Sequence, residues 1–248
     1  MTTPPGVVAL FGWRKGIANI ADKDSPASAD ISRAVFESLG VTGVSQASPQ
    51  TLGANFEKAV ARFLADGLEH LGRGFEVGSK SITAFSQYSH LARVSELVTQ
   101  LDREGTLRAE LGTDYLINPD VTVGLRREGE SGTFLHAAVS CKWTIRSDRV
   151  QNIRHEGVIL GRHRRGRAPH IVTVTCEPLP KRLAAIARGT GEVDCVYHAA
   201  LDELTASLKA LAASGESAAA SELDTLEELT EQDRLRSLET LPAVLAAF

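Results

Sequence analysis

Between residues 120 and 197 the chain switches repeatedly between two hydrophobic periods, and this constrains its fold more than any other feature. Asp120-Val121-Thr122-Val123-Gly124-Leu125 alternates as a strand does. Residues 126–133 carry two glycines and read as a turn, and residues 134–144 return as a second strand, which predicts an antiparallel hairpin. The period turns helical over 148–163, where Val150, Ile153, Gly157, Val158 and Leu160 share the inner side and Ser147 is placed to cap. Residues 170–176 make a third, nearly all β-branched strand, 180–187 a short helix and 193–197 a fourth strand. A strand joined to a parallel neighbour through a helix does so by a right-handed crossover. The expected fold class is α/β, a mixed β-sheet flanked by helices.

Upstream, the segment to Gly16 reads as loop or edge strand. Ser28 is placed to cap a helix carrying Ile31, Val35, Phe36 and Leu39 at helical spacing, and residues 40–50 form a loop rich in Gly, Ser and Thr. A strongly amphipathic helix is predicted over 51–70, with Leu52, Phe56, Val60, Phe63, Leu64 and Leu68 on its apolar side. Residues 75–85 fit no single element, and 86–102 read as a polar helix. Downstream come a helix over 201–212, a Ser/Ala-rich linker over 214–221 and a last region from about 221. There is no internal repeat. At 248 residues the chain is expected to be one domain over 1–248, with its catalytic core at about 51–200 and a C-terminal helical region at about 201–248.

No apolar run approaches the ~20 residues needed to span a bilayer, and the N-terminus lacks a signal-peptide layout, so a cytoplasmic protein without a membrane partner is expected. Cys141, Cys176 and Cys195 are scattered through apolar strand-like contexts and read as buried thiols. The net charge of -4 conceals an asymmetry. Residues 142–188 hold eleven Lys and Arg against Asp148, Glu156 and Glu177, while residues 214–248 hold eight acids against Arg234 and Arg236. An anionic partner therefore suits the middle of the chain.

The chemistry concentrates in the same stretch. Asp120 follows Pro119, which fixes the chain at a strand start. Alternation puts Ser140 and Lys142 on one side of the neighbouring strand and Cys141 on the other, and Glu156 lies two turns into the following helix. Phosphodiester hydrolysis needs a positioned water and relief of charge at phosphorus. Mg²⁺ suits one or two carboxylates plus phosphate oxygen and water, and a lysine beside it orients the water and offsets charge. Asp120 and Glu156 are therefore candidate metal ligands and Lys142 the candidate catalytic lysine. The alternative for the same residues is a cap at Asp120 and an edge-strand solubility lysine at Lys142.

Just beyond lies Arg146-Ser147-Asp148-Arg149. Arginine donates two bonds to guanine N7 and O6, and a carboxylate accepts from cytosine N4, so Arg146, Asp148 and Arg149 suit neighbouring C·G pairs in a major groove. A surface ion pair and helix cap is the plainer reading. Other chemistries lack their residues: no Gly-x-Ser-x-Gly is present, and Gly189-Thr190-Gly191 lacks the ending of a phosphate loop.

Pro-Asp followed by a lysine on the adjacent strand is the core of the PD-(D/E)xK nuclease pattern, here with Ser140 in place of the usual acid two residues before the lysine. The segment Ser140-Cys141-Lys142-Trp143-Thr144-Ile145-Arg146-Ser147-Asp148-Arg149, with runs at 169–180 and 189–198, resembles the NgoMIV-like type II restriction endonucleases, the resemblance extending over about residues 53–198. It implies a restriction-endonuclease-like fold and Mg²⁺-dependent cleavage of double-stranded DNA. It assigns the metals to Asp120 and Glu156, catalysis to Lys142, the acid-replaced position to Ser140, and an additional active-site acid to Glu57, in Asn55-Phe56-Glu57. It implies that Arg146, Asp148 and Arg149 read a central CCGG, with outer contacts from Gln50, Arg182 and Asp22, giving GCCGGC cut after the first G with 5′ overhangs. It also implies a homotetramer, a dimer of dimers, and a cognate DNA methyltransferase that protects host sites without being a stable subunit. Two rivals share the residues: a structure-selective or repair nuclease, which needs no base readout, and a non-cutting DNA-binding protein, which needs no intact catalytic trio.

Overall fold

The computed structural model describes residues 3–79, 88, 117–126, 129, 133–145, 147–164 and 166–247. The helix expected over 86–102 lies outside these apart from Tyr88, as do Arg146 and Arg165.

A six-stranded sheet organises the described residues. Its strands, in spatial as well as chain order, are β3 (Phe75–Ser79), β4 (Val121–Arg126), β5 (Thr133–Lys142), β6 (His170–Thr175), β7 (Cys195–His198) and β8 (Leu235–Ser237). A separate two-residue hairpin holds β1 (Trp13–Arg14) and β2 (Ile17–Ala18). The β3–β4 and β4–β5 pairs are antiparallel; β5–β6, β6–β7 and β7–β8 are parallel. The mixed sheet follows from the sequence rhythm: only six residues separate β4 from its antiparallel neighbour β5, and the later, parallel strands return through helices. The helices are α1 (Pro5–Val8), α2 (Pro26–Ser38), α3 (Pro49–Glu69), α4 (Ser147–His163), α5 (Pro180–Ala187), α6 (Leu201–Ala213), α7 (Ser217–Glu231) and α8 (Leu241–Ala247).

The two sheet faces bury different partners. Helix α3 sets Leu52, Phe56, Val60, Leu64 and Leu68, all buried at helical spacing, against the face carrying Val121, Val123, Ala137, Val139 and Cys141. Each such side chain contributes roughly 1.5–3 kcal/mol on burial. On the other face Leu135 and Ala138 pack with Leu160 of α4. Those two residues share a face although three apart, because a β-bulge intervenes: Val123 pairs with Ala137 and Gly124 with Leu135, leaving His136 as the extra residue. His136 is buried and its Nε2 donates to the Leu245 carbonyl at 2.7 Å, which ties α8 to β5.

Several boundaries differ from the sequence reading. Pro5–Val8 is a short helix rather than loop. The cap of α2 is Ser25, whose side chain accepts from Ser28 N–H, because Pro26 starts the helix; buried Ser28 accepts instead from Asp22 N–H. Helix α3 likewise begins at Pro49 under a Ser48 cap. Ser147 lies inside α4 rather than before it. The segment expected as a Ser/Ala linker belongs largely to α7, and the C-terminal region contributes β8 as well as helices. The apolar residues of the tail, among them Leu226, Leu229, Leu235, Leu238 and Leu245, are buried in the main core.

Candidate active site and base-reading surface

The exit of β5 is anchored by aromatic packing. Trp143 is buried with its ring centroid 5.4 Å from both Phe11 and Phe56, and its Nε1 donates to the Asn19 carbonyl at 3.0 Å. That fixes Cys141 and Trp143 on the core side and leaves Ser140 and Lys142 facing the other way, as alternation required.

Asp120 stands one residue before β4. Its Oδ2 accepts from the Cys141 N–H at 2.7 Å and from Lys142 Nζ at 2.5 Å. Both side chains are half-buried, so water screens their attraction incompletely. Glu156 comes in from α4. Burial raises its carboxyl above the ordinary value, Lys142 pulls it back down and Asp120 pushes it up, which places the three charges in one field. Glu57, from α3, acts with Asp120 and Lys142 on Cys141, whose thiol burial pushes well above its ordinary value. A cleft of about 660 Å³ between α3, the β5 exit and α4 is lined by Gln50, Glu57, Ser140, Lys142 and Glu156. The cleft opens at the carboxyl end of β5, the usual side for ligands in sheets with parallel strands.

Among the described residues no three His, Cys, Asp or Glu side chains are gathered as a metal cluster. Asp120 and Glu156 would supply two carboxylate oxygens to a Mg²⁺, with phosphate and water completing its shell.

A second cleft, of about 700 Å³, is lined by Asp22, Lys23, Ile145, Val150 and Arg182. Ile145 and Val150 flank the 146–149 stretch in sequence. Arg146 lies outside the described residues. Asp148 and Arg149 occupy the first turn of α4, their side chains outside the description. Asp22 and Arg182, expected separately and 160 residues apart, form an ion pair at 2.5 Å from Oδ2 to Nη2. Gln50 falls in the first cleft instead. The basic stretch from the last turn of α4 onward presents exposed Arg162, Arg164 and Arg167, with Arg167 Nη2 3.0 Å from His170 Nε2.

Sequence reasoning missed one residue. Glu177, counted only as a charge, is fully buried beneath the second cleft, 3.6 Å from Arg182. Burial pushes its carboxyl up to about 7 against the pull of the Ile145 N–H and of Arg182. The available signal was its position: an acid just past a buried, mostly β-branched strand, where few acids stand unless partnered.

A mixed sheet in which one strand carries a lysine into a cleft and an aspartate at the start of the neighbouring strand meets it there defines a nuclease-type α/β protein. Residues 7–129 and 124–247 match the profile of the NgoMIV restriction enzyme family, and the chain belongs to that family. It is a type II restriction enzyme, a site-specific deoxyribonuclease with a restriction-endonuclease-like fold. The chain is 36% identical to the type II restriction enzyme NgoMIV of Neisseria gonorrhoeae over 265 aligned positions, spanning 94% of this chain and 91% of that one. Two solved structures overlay loosely. One is the type IIF restriction endonuclease Bse634I with cognate DNA (TM-score 0.43, 14% identity, 81% of this chain and 89% of that one). The other is the Bse634I restriction endonuclease (TM-score 0.41, 13% identity, 80% and 88%). Overlays this loose carry no argument about the site. No described helix is long and apolar enough to cross a membrane.

Proposed function

We propose that the cleft between α3 and α4 hydrolyses DNA with Asp120 and Glu156 holding Mg²⁺, Lys142 as the catalytic lysine, Glu57 as a further acid and Ser140 as the uncharged residue beside it. The observation that carries the reading is the Lys142 Nζ–Asp120 Oδ2 contact of 2.5 Å with Glu156 in the same electrostatic field. Mg²⁺, when bound, lowers the pKa of water and offsets charge at phosphorus. The Cys141 N–H fixes the Asp120 carboxylate, so its orientation precedes substrate binding. Lys142 Nζ donates to Asp120 and offsets the negative charge that gathers at the pentavalent phosphorus. The water oxygen bonds to phosphorus and gives up one proton to solvent as the ester P–O bond breaks, and the leaving alkoxide takes up one proton from solvent. Ser140 adds no charge, which leaves Glu156 as the second carboxylate.

The reading extends to specificity. Arg146, Asp148 and Arg149 read a central CCGG, and Asp22, Arg182 and Gln50 contact the outer pairs, giving GCCGGC cut after the first G with 5′ overhangs. The Asp22–Arg182 pair at one cleft supports grouping those two. A palindrome is met by a two-fold dimer, and the proposed assembly is a homotetramer of two such dimers. The whole 248-residue chain acts as one endonuclease domain in the cytoplasm, alongside a cognate DNA methyltransferase. The test is digestion of a sequenced plasmid with Mg²⁺ and mapping of every end. Discrete fragments ending at GCCGGC bear the proposal out, ends within another sequence correct the hexamer, and random nicking sinks the readout.

A further inference from the structure

We infer that Glu177 is a positioning residue of the base-reading surface, its buried carboxylate tying the chain immediately ahead of Arg146 to the guanidinium of Arg182. The inference rests on the proposed reading of 146–149 and Arg182 as base contacts. Glu177 is 0% exposed, and each of its polar groups has a partner. Oε2 accepts from Ile145 N–H at 2.8 Å and Oε1 from Leu179 N–H at 3.3 Å. Its own N–H donates to Thr175 Oγ1 at 3.1 Å, and its carbonyl accepts from His198 Nε2 at 3.1 Å. Arg182 Nη1 sits 3.6 Å from Oε1 and also donates to the Ile145 carbonyl at 3.5 Å. Ile145, the last described residue before Arg146, is therefore held at both its N–H and its C=O. Arg182 Nη2 carries the link on to Asp22. One buried side chain thus joins the exits of β5 and β6, the start of α5 and the loop before α2.

Packing alone does not explain a carboxylate here. An apolar side chain of similar shape fills the same volume without desolvating a charge. What the carboxylate adds is two acceptors and a negative charge facing a guanidinium, and these define direction as well as contact. They hold the Arg182 fork at a set angle before DNA arrives, the preorganisation that bidentate readout needs. The charge is also titratable. Burial lifts Glu177 to about 7, with Arg182 pulling down and Asp22 pushing up. The other charged groups around this link are Lys181 on α5 and Glu222 on α7, whose Oε2 accepts from Lys181 N–H. On β7, His198 is held neutral by burial, with its value lowered to about 4. Protonating Glu177 converts one acceptor oxygen to a hydroxyl and removes the charge facing Arg182, so discrimination at the pairs Arg182 reads weakens from pH 8.5 toward 6.

The test measures kcat/KM on short duplexes carrying the mapped site and on duplexes with the outer pair replaced, from pH 6 to 8.5. In the unsubstituted enzyme the cognate-to-altered ratio falls through a midpoint near 7. Glu177→Gln lowers that ratio roughly tenfold at the alkaline end, the scale of one lost bidentate contact, and makes it independent of pH. A Glu177→Gln ratio that matches the unsubstituted enzyme at every pH overturns the inference. If the variant does not fold, the unsubstituted profile decides: a flat ratio overturns the inference and a midpoint near 7 supports it. Arg182→Ala separates the layers. Unchanged site choice in Arg182→Ala rejects the outer-pair reading and this inference with it. An altered choice there, beside an unaltered Glu177→Gln, rejects the role of Glu177 alone.

Discussion

Replacing Glu177 with Gln should change how stability depends on pH, and the size follows from burial. Its carboxyl rises from an ordinary 4.5 to about 7. Between those values the unfolded chain's carboxyl is ionised while the folded one keeps its proton. The unfolded state then binds fewer protons, and stability falls as pH rises. At about 1.36 kcal/mol per pH unit the loss across the window is about 3 kcal/mol. His198, whose Nε2 donates to the Glu177 carbonyl, works with the opposite sign. Burial lowers its imidazole from 6.5 to about 4. Between those values the unfolded imidazole is charged and the folded one is not, so stability rises with pH by about 3 kcal/mol. The two neighbours nearly cancel where their windows overlap. Glu177→Gln removes one side of that balance. Urea unfolding at fixed protein concentration, followed by tryptophan fluorescence from pH 4.5 to 8, should show the variant gaining about 3 kcal/mol relative to the unsubstituted protein by pH 7, then holding level. The amide's poorer fit to two N–H donors is a constant offset and does not alter the slope. A difference between the two proteins that stays constant with pH refutes the reasoning.

Three further outcomes are expected. Asp120→Asn faces the Lys142 ammonium with an amide and should abolish cutting while keeping site-specific binding in Ca²⁺ gel shifts; retained cutting removes Asp120 from the site. Arg149→Ala should cost about 1–3 kcal/mol of discrimination at the central pairs, read from cleavage of single-substitution duplexes, and an unchanged preference rejects that contact. Gly157→Ala puts a Cβ 2.1 Å from the Glu192 carbonyl oxygen, which forces α4 away from the turn beneath it. The expected loss is about 1–3 kcal/mol in urea unfolding, with weaker cutting because Glu156 is the adjacent residue; full stability contradicts that close approach.

Local pattern carried much of the site into view. Strand alternation and helix spacing, both short-range rules, singled out Asp120, Lys142 and Glu156, and the structure sets Lys142 against Asp120 with Glu156 in the same field. Glu57 came only from the family resemblance; the period of α3 marks its neighbour Phe56 as buried and gives Glu57 no role. The pairing of Asp22 with Arg182 was not legible, since nothing local couples residues 160 apart. Strand β8 escaped because three residues, Leu235-Arg236-Ser237, are too few to show a period. The starts of α2 and α3 were placed late because Ser25 and Ser48 cap helices that begin at the following proline, ahead of the first apolar residue in register. Glu177 escaped for a physical reason: its partners are backbone N–H groups and an arginine from elsewhere in the chain, and a carboxylate's burial is a tertiary property.

The anchored exit of β5 has a consequence for redesign. Lys142, Trp143 and Ile145 belong to one anchored stem, so a substitution that displaces the 146–149 stretch also tilts Lys142 Nζ away from Asp120. Asp22 and Arg182 hang on the same stem through Glu177, so a change at either also reaches Ile145 and, through it, the chain that carries Lys142.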